Sequence, residues 1–130
     1  MRRVVVTGIG LYTSIGEDTN NTWHNLLECK SGIKKITKFN TTDLPCKIAG
    51  FISDNPESEN YSDEQKFLDP KVIKRNDRFI RYGLIASNFA ITDANIQTQN
   101  DQTKHRIGVS VGSGIGGLET IDNNSRILSD

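Results

Sequence analysis

With 130 residues the chain is long enough for one domain, and its 16 basic and 16 acidic side chains cancel. That balance excludes a global field drawing it to nucleic acid or to a membrane surface, and no apolar window approaches the length of a membrane span. A hydrophobic share of 35% and a mean hydropathy of −0.49 lie below what a compact domain usually carries, so part of the surface is expected to need cover from elsewhere.

The N-terminus has a basic start, but the apolar run Val4, Val5, Val6 is too short for a signal-peptide core. Residues 3–7 are a β-branched run without polar alternation, the pattern of a strand covered on both faces in a parallel sheet, and Gly8 and Gly10 close it. Asp18 or Thr19 can cap a helix in which Trp23, Leu26 and Leu27 share a face, with Gly32 as its stop. From 33 to 60 the signal thins: 47–52 is a modest strand candidate, and 54–63 is a polar, acidic, proline-containing surface loop.

Pro70 opens the strongest helical stretch, expected to run to about Asn95. Its first half places Lys71, Lys74, Arg75 and Arg78 in one basic stripe. Its second half, with Phe79, Ile80, Tyr82, Leu84, Ile85, Phe89 and Ile91, is apolar on most faces and reads as buried, while Gly83, Ala86, Ser87 and Ala90 thin one side for another helix. A polar linker from 93 to 104 leads to a short apolar strand at 107–111, a turn containing Gly112, Gly114, Gly116 and Gly117, and a last helix over 118–128. The order strand, helix, weak strand, buried helix, strand, helix predicts an α/β fold with a parallel or mixed sheet.

Gly112, Gly114 and Gly117 satisfy G-x-G-x-x-G between a strand and a helix, so a dinucleotide-binding module is one reading. The acidic residue that would confirm it about twenty residues on has no counterpart in the chain. Gly8, Gly10 and Gly16 fit neither that fingerprint nor a P-loop. Cys29 and Cys46 show no metal-ligand spacing and no helix-opening turn, which fits reduced thiols of a cytosolic protein rather than a nucleophile, and His24 and His105 lie in polar surroundings. No catalytic constellation and no metal set emerges. The basic stripe can be read as a solvated helix face or as a docking patch for an acidic partner.

Taken together, the motifs resemble the N-terminal part of the β-ketoacyl-acyl carrier protein synthase II family. They are the run from Arg3 to Gly10 with Gly16, then Thr22 and Trp23, Leu26 and Leu27, Ser31 to Ile33, Ala49 and Gly50, Arg75 to Phe79 with Tyr82, and Arg106 to Gly108 with Gly112 to Leu118. The match runs in order over nearly the whole chain and departs most between 54 and 69. The resemblance implies a thiolase-like layered α/β/α/β/α fold, of which residues 1–130 would be the incomplete N-terminal half, in a cytoplasmic enzyme that is a homodimer when complete. It implies decarboxylative condensation of malonyl-acyl carrier protein with an acyl group held on a cysteine, in fatty acid biosynthesis. That cysteine, the two histidines and the lysine of the family are expected beyond Asp130, so the 130-residue chain alone is expected to be inactive.

Two family features carry over to residues of this chain. Ile115 matches the isoleucine that lines and gates the acyl pocket, and Lys71, Lys74 and Arg75 match the residues that dock acyl carrier protein. No cofactor is implied beyond the phosphopantetheine of the carrier protein, and no nucleic acid or membrane partner.

Overall fold

A computed structural model of the chain describes residues 2–53, 56–57, 61–96 and 104–129. Helix α1 spans Thr19–Leu27; strand β1, Ile33–Lys35, pairs antiparallel with β2, Ile48–Gly50; α2 spans Pro70–Arg75, α3 Arg78–Asp93 and α4 Leu118–Ser129. A short 3-10 turn at Glu64–Lys66 precedes α2.

The ends of α1 follow from local chemistry. Asp18 sits in extended backbone and its carboxylate accepts from the Asn21 amide at 2.7 Å, satisfying one of the free donors of the first turn. The chain leaves the helix through Cys29, whose φ of 56° is left-handed, three residues before the expected glycine stop. The apolar stripe of α1 forms as the spacing requires, yet Trp23, Leu26 and Leu27 are exposed. Thr22 is the buried residue, its hydroxyl 3.1 Å from that of Thr13.

Strand β2 falls inside the sequence candidate at 47–52, and its partner β1 was not foreseen. Their register pairs Ile33 with Gly50 and Lys35 with Ile48, and the Ile36 amide extends it by donating to the Lys47 carbonyl at 2.9 Å.

Helix α3 is the spine. Its side around Ala86, Ala90 and Ala94 carries the N-terminal segment: a Cβ added to Gly8 would stand 2.4 Å from the Ala90 carbonyl, and one added to Gly10 would stand 1.9 Å from that of Ala86. The thin surface expected to receive a helix therefore receives backbone. The Ile9 amide donates to the Asp93 carboxylate at 2.8 Å and the Thr19 hydroxyl to the Ile9 carbonyl at 3.2 Å, fixing the segment along the helix. A second side of α3 joins an aromatic cluster in which Tyr12 lies 5.3 Å from Tyr82 and 6.0 Å from Phe67, and Phe67 lies 5.3 Å from Phe89. Phe67 meets Tyr12 and Phe89 edge to face, the arrangement that the aromatic quadrupole favours, and Tyr12 and Tyr82 are tilted. Ile85 of the same helix, 1% exposed, is the most buried large side chain among the described residues.

Three expectations are corrected. The helix from 70 to 95 is broken, because Asn76 adopts φ −126° and ψ 141° and Asp77 is likewise extended. The apolar runs 3–7 and 107–111 form no ladder; among the described residues the sheet is the antiparallel pair β1 and β2, not a parallel one. Val4, expected under helices, is 96% exposed, because local pattern marks which side chains call for cover and carries no information on what supplies it. Helix α3 is in turn only partly covered, with Phe79, Ile80, Leu84 and Ile91 exposed. The expected loop at 54–63 and linker at 93–104 lie partly outside the described residues.

Candidate functional site

The basic helix comes first. Pro70 supplies a pre-set φ and lacks the amide that the first turn could not have bonded. Asp69 caps the helix by accepting from the Lys71 amide at 2.7 Å. Lys71, Lys74 and Arg75 are all exposed, and Lys74 and Arg75 fall in the last turn, where cations complement the helix dipole. Asn76 ends the helix and its side-chain amide donates back to the Val72 carbonyl at 2.8 Å. Asn and Asp bond nearby backbone readily, so an Asn76–Asp77 pair favours a stop and a restart over continuation. Arg78 therefore leaves the expected stripe: it opens α3, half-buried, with its Nε 3.7 Å from a Glu119 carboxylate oxygen.

Asp77 is a residue the sequence reasoning missed. It occupies the N-cap of α3 without capping it; its carboxylate instead accepts from the Thr120 hydroxyl in the first turn of α4. A Cβ at Gly117 would lie 2.2 Å from that carboxylate, so the glycine admits Asp77 to the start of α4. In the same turn Gly116 has φ +83°, a conformation that favours glycine, and its amide donates to the Ser113 hydroxyl at 3.1 Å. Ile115, between these bends, is 72% exposed. Gly112 and Gly114 face open space.

An open apolar groove of about 740 Å³ lies between α3 and the segment leading into this turn. Phe79, Tyr82, Gly83, Val109 and Val111 line it, and it reaches Gly112 and Ser113; Ile115 is not among its lining residues. The groove and the basic helix are thus joined through the first turn of α3.

Beside them, Arg81 stands between elements. Its Nε lies 3.1 Å from a Glu64 carboxylate oxygen, and its Nη1 donates to the Ile73 carbonyl at 3.4 Å. Nearby, Glu17 accepts from Ser62 and pairs with Lys66, each at 3.2 Å, joining the loop before α1 to the 3-10 turn. Burial pushes the Tyr12 hydroxyl up to about 12, with the nearby Ser62 side chain opposing the rise while Glu64, Tyr82 and Glu17 add to it. Burial raises Tyr82 as well, with the Arg78 charge opposing it.

The remaining chemistry-bearing residues stay apart. Cys29 and Cys46 are exposed, Cys29 follows the C-terminal end of α1, and the Cys46 thiol donates to the Ile48 carbonyl at 3.2 Å. His24 pairs with Glu28 at 3.0 Å on the surface, and Lys30 and His24 hold the Glu28 carboxyl below the usual range. Among the described residues no group of His, Cys, Asp and Glu could hold a metal ion, and no helix is long and apolar enough to cross a membrane.

Residues 1–129 match the family profile of the β-ketoacyl synthase N-terminal domain. The chain belongs to the β-ketoacyl synthase family. It is 40% identical over 129 residues to 3-oxoacyl-[acyl-carrier-protein] synthase 2 of Synechocystis sp. and of Staphylococcus aureus, and 37% identical over 130 residues to that of Rhizobium meliloti. These alignments cover 99–100% of this β-ketoacyl synthase domain but 29–31% of the relatives, so the chain spans under a third of their length. The ishigamide ketosynthase/chain length factor shares its fold, with a TM-score of 0.70 over 99% of this chain and 31% of that one at 22% identity. The family match leaves the dinucleotide reading of Gly112, Gly114 and Gly117 without support. The geometry gives a reason: the helix N-terminus that would hold a pyrophosphate already faces the Asp77 carboxylate.

Proposed function

We propose that this chain is the N-terminal portion of a type 2 3-oxoacyl-acyl carrier protein synthase, acting in fatty acid biosynthesis. The reaction is decarboxylative condensation of malonyl-acyl carrier protein with an enzyme-bound acyl thioester. The observation that carries the reading is the 40% identity to 3-oxoacyl-[acyl-carrier-protein] synthases 2 along 99% of the chain. In this reading Lys71, Lys74 and Arg75 meet acidic side chains of the carrier protein, and steering by opposite charge speeds the encounter. The groove between α3 and residues 109–113 offers apolar surface to the acyl chain, at roughly 25 cal/mol per Å² buried. Ile115, flanked by glycines, swings to admit it. In this reading the reactive cysteine, the histidines and the lysine belong to sequence downstream of Asp130, and the working enzyme is a cytoplasmic homodimer needing no cofactor beyond the carrier's phosphopantetheine.

The test is a chimera in which this chain replaces the matching part of the Staphylococcus aureus synthase. Elongation of an acyl primer by radiolabelled malonyl-acyl carrier protein is expected. A folded, dimeric chimera that elongates nothing would overturn the reading.

A further inference from the structure

Helix α2 has six residues, too few to hold its own shape or direction in water, yet it carries all three docking cations. Something outside the helix must aim it. It packs beside the 3-10 turn at Glu64–Lys66, and one side chain touches both pieces. Arg81 pairs with Glu64 at 3.1 Å and donates to the Ile73 carbonyl in α2 at 3.4 Å. The Arg81 and Glu64 side chains are only 14% and 16% exposed, so neither can reach a partner protein directly. The planar guanidinium reaches both at once, Nη1 donating to the Ile73 carbonyl while the Nε edge makes the charge contact with Glu64, which a single ammonium cannot reproduce.

We infer that Arg81, held by Glu64, is a positioning residue for carrier-protein recognition: it aims α2 so that Lys71, Lys74 and Arg75 present one cationic face. This inference rests on the docking role proposed for α2. Its mechanism is local. Without the fork, α2 frays or tilts, and the three cations reach the partner from a wider set of orientations at an entropic cost to binding.

The test is a double-mutant cycle on this chain completed by the remaining part of the Staphylococcus aureus synthase, titrated with holo-acyl carrier protein. Arg81→Gln is expected to weaken binding about fivefold in the otherwise unchanged chimera, and to weaken it no further in a Lys74→Ala, Arg75→Ala background. Arg81→Lys, which keeps the charge but not the fork, is expected to behave like Arg81→Gln. Equal losses in both backgrounds would mark Arg81 as a general structural support and overturn the inference, as would full affinity in Arg81→Gln. If thermal melting shows Arg81→Gln unfolded, Glu64→Gln takes its place: a loss confined to the intact α2 background supports the inference, and no loss overturns it. Failure of the unchanged chimera to bind carrier protein removes the docking role and this inference together, whereas binding that ignores Arg81 removes this inference alone.

Discussion

Tyr12 touches Phe67 and Tyr82 and keeps its hydroxyl in a place that resists ionisation, about 12 against the ordinary 10.0. Between those values the unfolded chain has released the proton and the folded chain retains it, so folding stability falls as pH rises from about 10 to about 12. Below 10 the contribution is fully present. Tyr12→Phe removes the proton in question, so its urea midpoint should decline less steeply over that window than that of the unchanged chain, with Tyr82 supplying what slope remains. The glycines divide by what stands opposite them. At Gly10 the obstacle is helix backbone, which cannot yield, so Gly10→Ala should cost at least the upper end of the roughly 1–3 kcal/mol typical of overpacking. At Gly117 it is a carboxylate on a rotatable side chain, so Gly117→Ala should cost about 1 kcal/mol and free Asp77 from Thr120. Urea titrations of the two variants read that difference directly.

The helices show how far local pattern reaches. The Asp18 cap, the three-residue face of α1 and the span of α4 were legible because each depends on residues within a few positions of one another. The break between α2 and α3 was not, because the basic residues keep helical spacing straight through Asn76 and Asp77. Only their preference for bonding nearby backbone signalled it. The pairing of β1 with β2 and of Glu64 with Arg81 had no local signal at all. That an apolar groove would reach Gly112 and Ser113 without Ile115 in its lining had no local signal either. Asp69 should prove decisive for α2, since a helix of six residues depends on its cap. Asp69→Ala should raise amide exchange across residues 71–75 about fivefold, the equivalent of a cap worth about 1 kcal/mol, with little change in global melting.

For the whole molecule, the low apolar share and the exposed apolar surface agree. Val4, Val6, Val109 and Leu128 are exposed and α3 is covered on some sides only, a pattern that marks surface made to be buried. At micromolar concentration the chain should bind a hydrophobic dye and associate in sedimentation experiments, more strongly as salt is added. The α/β class and the family were readable from the chain because motifs recur in order along nearly all of it. What covers the runs 3–7 and 107–111 was not, since a strand's sequence does not name its partner. The proposed role of the molecule is to receive an acyl carrier protein on α2. Calorimetric titration with holo-acyl carrier protein, at low and at high salt, tests this most directly. Saturable binding that weakens steeply with salt and is lost in Lys74→Glu, Arg75→Glu is the expected result; no binding at low salt, or binding indifferent to those two substitutions, would contradict it.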